Sequence, residues 1–117
     1  MSEKITVYQK PTCSKCKETL GILLERGVEF EAVDYYEQPI TPELLRELID
    51  KLGASPRDIL RADEPLAQSL GVAERDLSDD ELIRIMAENP DLIQRPIVVR
   101  GERAVLARPP RDVERLL

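Results

Sequence analysis

Cys13 and Cys16, in the run Thr-Cys-Ser-Lys-Cys, are the residues best suited to chemistry in this sequence. Two cysteines three positions apart can bind a metal, lie inert in a core, or exchange electrons through a disulfide. A structural zinc site needs four ligands, and the chain has 2 cysteines and 0 histidines, so no metal is expected. Thiol exchange needs one cysteine activated as its thiolate and a second within reach. Cys13 falls where a strand gives way to a helix, so the unpaired N–H groups and positive end of that helix favour its thiolate. Lys10, Lys15 and Lys17 add positive charge nearby. Cys16 lies one turn deeper on the same helix face, where it can attack a sulfur at Cys13, and it reads as the resolving thiol.

The elements that place this pair can be read from patterning. Lys4 to Tyr8 is β-branched and aromatic and predicts a first strand, broken by Pro11. Residues 13–26 predict a helix with Cys16, Leu20, Leu23 and Leu24 on its apolar face and Gly27 as its stop. Phe30 to Tyr36 alternates as a second strand, giving a β-α-β unit with a parallel pair. Thr41-Pro42 opens a helix that ends at Gly53, and Ser55-Pro56 opens a shorter one running to about Arg61. Ser78 and Glu81 form a capping box for a helix that Asn89-Pro90 terminates. Pro96 to Val99 and Arg103 to Ala107 predict two more strands around a turn at Gly101, and Pro109-Pro110 starts a terminal helix. The order predicts an α/β fold: a thioredoxin-like core, β-α-β…β-β-α, with an all-helical insert at about residues 41–91, in one domain spanning residues 1–117. Arg95-Pro96 enters the third strand, where thioredoxin-like folds bring a residue pair to face the active cysteine, often through a cis proline.

The totals narrow the partners. A 117-residue chain that is 42% hydrophobic can bury one core, and with 3% aromatic residues that core must be built from Leu, Ile and Val. A formal net charge of −6 disfavours nucleic acid as a partner. No apolar run is long enough for a membrane span, and Met-Ser-Glu-Lys does not begin a signal peptide. A cytoplasmic location, in which thiols stay reduced, and a monomer are the expectations.

Tyr8 through Cys13, Tyr36-Glu37-Gln38-Pro39 with Thr41, Leu60-Arg61, Asn89-Pro90, Arg95-Pro96-Ile97-Val98-Val99 and Arg108-Pro109 together resemble the arsenate reductase (ArsC) family of the glutaredoxin-coupled type. That family also includes the Spx-like regulators, and the resemblance extends from Ile5 to Leu117. It implies that Cys13 attacks arsenate and that Arg61, Arg95 and Arg108 hold the oxyanion and its adduct. The chemistry agrees, because guanidinium forks bind tetrahedral anions bidentately and stay charged at any working pH. Gln9 stands where some reductases carry a histidine four residues before the nucleophile. Cys16 stands where the best-known members carry a serine, and those members finish through glutathione and glutaredoxin.

The resemblance implies thiol-dependent reduction of arsenate to arsenite, an arsenic-detoxification chemistry, with no bound cofactor. Glutathione with glutaredoxin, or thioredoxin, serves as the external reductant. Two other functions share these motifs. An Spx-like protein binds RNA polymerase and uses its C-x-x-C as a redox switch; Arg108 argues against it, since such regulators generally lack that arginine. A glutathione-dependent thiol reductase without arsenate activity could use the same arginines to grip a carboxylate.

Overall fold

A computed structural model describes residues 4–72 and 74–117 of the chain. Four strands form one mixed sheet in the order β2-β1-β3-β4. β1 (Ile5–Gln9) and β2 (Phe30–Asp34) are parallel, with Ile5 beside Phe30 and Gln9 beside Asp34. The helix α1 (Ser14–Glu25) joins them. β3 (Ile97–Arg100) runs antiparallel to β1, with Tyr8 opposite Ile97, and β4 (Arg103–Leu106) completes the hairpin. Gly101, at φ 62°, makes the turn between them, in a backbone region where a side chain is disfavoured. This is the thioredoxin-like arrangement the element order predicts.

The chain divides into two compact units. One takes the chain up to Gln38 and again from Arg95 to Leu117; the other is Pro39–Gln94. In the first, Ile5 and Val7 of β1, Val98 and Val105 of the hairpin, and Leu23 of α1 bury their side chains together. Val113 and Leu116 close this core from the terminal segment Pro110–Leu116, which is a 3-10 helix. Val7, Leu23, Val98 and Val113 are fully buried, so aliphatic side chains fill the core as the composition requires.

The second unit is helical. α2 (Pro42–Leu52) starts on Thr41, whose hydroxyl accepts the Leu44 N–H at 3.1 Å, and stops at Gly53 with φ 67°. α4 (Asp79–Glu88) carries the expected capping box: the Ser78 hydroxyl accepts from the Glu81 N–H at 3.2 Å, and the Glu81 carboxylate accepts from the Ser78 N–H at 3.1 Å. α4 packs on α2 and on the 3-10 turns Pro56–Ile59 and Pro90–Leu92. An isolated antiparallel bridge pairs Leu60 with Ile93.

Several expectations need correction. Leu24 does not join the core but is 69% exposed, because α1 turns Leu20 and Leu23 inward and a third leucine at that spacing falls off the buried stripe. β2 ends at Asp34, not at Tyr36: the Asp34 carboxylate accepts the Tyr36 N–H at 2.9 Å and turns the chain out of the sheet. The helix predicted from Ser55 is one 3-10 turn ending at Ile59. A short helix, α3 (Pro65–Leu70), lies where none was expected; with 6 residues it has too little periodicity to register.

Candidate active site

Cys13 is the N-cap of α1, with φ −83° and ψ 123°, and its own N–H donates to the Lys10 carbonyl at 3.0 Å. A tight turn from Lys10 to Cys13 therefore delivers the sulfur to the first turn of the helix. Cys13 is half-buried and Cys16 fully buried, and both are free thiols. The Cys13 side chain makes no full capping hydrogen bond to the first turn. The interactions around its sulfur still favour charge there. Burial opposes ionisation of Cys13. The Cys16 thiol and N–H, the Arg95 guanidinium and the Lys15 N–H outweigh it, and the pKa falls below that of an ordinary thiol.

Cys16 moves the other way. Burial and the proximity of Cys13 push its thiol up to about 12, against smaller opposing contributions from the Lys10 backbone and Arg95. At neutral pH Cys16 is therefore the proton-bearing partner that donates toward Cys13. The two thiols have divergent acidities because one sits at the helix entrance and the other inside. That divergence favours charge on Cys13 and a proton on Cys16.

Arg95 is buried, with 7% of its surface exposed, and is followed by a cis Arg95-Pro96 bond. Its Nη1 donates to the Tyr35 hydroxyl at 3.2 Å and to the Tyr36 hydroxyl at 3.4 Å. Burial disfavours its charge, but the two phenol oxygens and Cys13 more than offset this and hold it cationic. Its Nε–H is buried and has no hydrogen-bond partner. Arg108, at a second cis bond to Pro109, is exposed and donates from Nη1 to the Arg95 carbonyl at 3.0 Å. Among the described residues, neither arginine is ion-paired with a carboxylate. Cys13, Cys16, Arg95 and Arg108 thus belong to one connected group.

Arg61 lies in the second unit. Its N–H donates to the Leu92 carbonyl at 2.8 Å, and its Nη1 is 3.9 Å from the Glu64 carboxylate. That Nη1 is buried and hydrogen-bonds to nothing. Gln9 is buried as well, with its Oε1 unpartnered and its carbonyl accepting the Tyr35 N–H at 3.3 Å. The lysines differ from expectation. Lys10 places its ammonium 4.7 Å from the centre of the Tyr36 ring, and the groups that favour the Cys13 thiolate are Arg95, Cys16 and backbone N–H groups.

Sequence reasoning missed Tyr35 and Tyr36, which it placed in a strand. Their rings stack with centroids 5.2 Å apart in the turn after β2. The Asp34 turn residue ahead of them was the available signal. Among the described residues no group of three or more histidine, cysteine or acidic side chains could hold a metal ion. No helix among them is long and apolar enough to cross a membrane.

Comparison with known proteins gives this arrangement a context. The chain is 43% identical over 114 residues to the uncharacterized protein YfgD of Escherichia coli, covering 97% of this chain and 96% of that protein. It is 36% identical over 115 residues to an arsenate reductase of Neisseria meningitidis, covering 97% and 98% of the two chains. Among solved structures, an arsenate reductase from Vibrio cholerae shares the fold at a TM-score of 0.94 and 37% identity, over 100% of both chains. The ArsC family matches residues 8–116, from the strand that leads into the Cys13 turn to the terminal helix, and the chain belongs to that family.

Proposed function

We propose that this protein is an arsenate reductase whose nucleophile is Cys13. The observation that carries the reading is the Arg95 guanidinium: buried, held cationic beside the Cys13 sulfur, and, among the described residues, unpaired with any carboxylate and left with a buried Nε–H that has no acceptor. A buried donor without a partner is costly, and an oxyanion brought to the sulfur would satisfy it. Arg108 adds a second cation from the exposed side. Arg61 is assigned the third oxyanion-binding guanidinium on the resemblance to the family.

The chemistry follows from the two thiols. The Cys13 thiolate attacks As(V), forming an S–As bond, and one arsenic oxygen leaves as water after protonation. The arginines offset the charge on the remaining oxygens. Cys16 then attacks Cys13 Sγ: the S–S bond forms, the S–As bond breaks, and its electron pair stays on arsenic as arsenite. A thiol near 12 is a poor nucleophile, yet part of that elevation comes from Cys13 itself. Once Cys13 is bonded to arsenic its negative charge is gone, so Cys16 becomes easier to deprotonate when it is needed. A thioredoxin or glutaredoxin dithiol reduces the resulting disulfide; no bound cofactor is required.

Arsenate-dependent NADPH oxidation tests the proposal. The pure protein is coupled in parallel to thioredoxin with its reductase and to glutaredoxin with glutathione. Turnover that disappears in Cys13→Ser supports the reading and identifies the reductant. Absence of arsenate-dependent turnover with both systems refutes it and favours a thiol reductase or a polymerase-binding regulator.

A further inference from the structure

The aromatic pair after β2 has no part in the chemistry above, yet its contacts are specific. Tyr35 is only 1% exposed. Its N–H is tied to the Gln9 carbonyl and the Tyr36 N–H to the Asp34 carboxylate, so the turn fixes both rings from the backbone side. Both hydroxyls converge on the same atom, Nη1 of Arg95, at 3.2 and 3.4 Å. Lys10, at the start of the Cys13 turn, covers the Tyr36 ring. An arginine side chain has several rotatable bonds, and among the described residues no carboxylate orients this one. Two phenol oxygens on one terminal nitrogen supply that orientation and leave the other nitrogens of the fork for Cys13 and its ligand.

We propose that Tyr35 and Tyr36 are positioning residues, whose hydroxyls hold the Arg95 guanidinium against the Cys13 sulfur and so keep that sulfur in its reactive thiolate form. The inference rests on Cys13 being the attacking thiol, but not on arsenate being the substrate. In this proposal the hydroxyls act through Arg95, from which both accept a hydrogen bond. Replacement by phenylalanine keeps the rings and removes only the oxygens.

The test is the pH dependence of Cys13 alkylation by iodoacetamide, with the modified residue located by mass spectrometry. It compares the parent protein with Tyr35→Phe, Tyr36→Phe and the double variant, each checked for folding by circular dichroism. The titration midpoint should move to higher pH in each single variant and further in the double. Alkylation well below the midpoint should be roughly tenfold slower, and the rate above it unchanged. In an Arg95→Met background the tyrosine substitutions should have no further effect. An unchanged midpoint in folded Tyr35→Phe and Tyr36→Phe, even with lowered thermal stability, overturns the proposal. So does a shift of the same size without Arg95. If Tyr35→Phe does not fold, Tyr36→Phe, whose ring is partly exposed, decides by the same criteria. Because no arsenate is present, failure of the reductase assay and failure of this proposal are separate results.

Discussion

Arg108 donates from Nη1 to the backbone carbonyl of Arg95 at 3.0 Å, so one arginine of the site pins the main chain of the other. The contact spans 13 positions of sequence and ties the segment entering β3 to the segment leaving β4. Under the proposed function, Arg108 would affect an anion at Cys13 in two ways: by its own charge, and by the placement of the backbone from which Arg95 extends.

Substituting Arg108 should show both effects. Arg108→Ala is expected to lower kcat/KM for arsenate by roughly ten- to a hundredfold, the range for losing one charge-assisted contact in the transition state. Because the side chain is exposed, denaturant stability should change by less than about 1 kcal/mol. Steady-state kinetics beside a urea melt distinguishes this from simple unfolding. Arg108→Lys should recover little, since an ammonium lacks the planar fork.

The two cysteines should impose opposite pH dependences on stability. Cys13 has a lowered pKa in the folded protein, so its contribution is present above the unfolded thiol value of about 8.5 and fades as pH falls through the folded value. Cys16 is raised to about 12, so its contribution is complete below roughly 8.5 and is lost as pH rises toward 12. Urea midpoints of parent and Cys16→Ala, measured from pH 8 to pH 11, should converge as the parent loses this stabilisation. A constant gap across that window would contradict the assignment.

Cys16→Ser separates the roles of the second thiol. A serine hydroxyl still donates a hydrogen bond toward Cys13, so Cys13 alkylation should remain fast. Turnover coupled to thioredoxin should fall by at least about tenfold, because no internal disulfide can form. Full turnover of this variant with glutaredoxin would remove Cys16 from the resolving step and leave it as a thiolate-stabilising donor.

In the helical unit, the Ser78 hydroxyl accepts the Glu81 N–H and starts α4. Ser78→Ala should cost about 1 kcal/mol. Leu82, Ile83 and Met86 on that helix are fully buried, and Met86→Ala should cost about 2–5 kcal/mol by leaving a cavity. Guanidinium melts of both variants give the comparison.

Much of this was legible in the chain itself. Thr41-Pro42, Gly53 and the Ser78–Glu81 box mark helix ends because caps are local: a side chain bonds backbone three residues away, and the spacing is visible in one dimension. The alternation of Ile5, Val7 and Gln9 on the buried face of β1 is equally local. Cys13 at a strand–helix junction and Cys16 one turn on follow from the same short-range geometry. The resemblance to the family, not spacing, singled out Arg61, Arg95 and Arg108 from the other arginines.

Tertiary structure decided what those residues do to one another. Arg95 meets Tyr35 across 60 positions of sequence, and no periodicity encodes that encounter. The end of β2 at Asp34 was likewise hidden, since Tyr35 and Tyr36 have high strand propensity and it is the turn, with the Asp34 carboxylate and carbonyl both bonding back to the chain, that overrides it. Leu24 belonged by its type to the core, yet the orientation of α1 on the sheet left it in solvent. Cys13 and Cys16 are chemically identical in the sequence. Burial of one and the arginine and helix N–H groups around the other set their acidities apart, and desolvation and charge proximity exist only once the chain is folded.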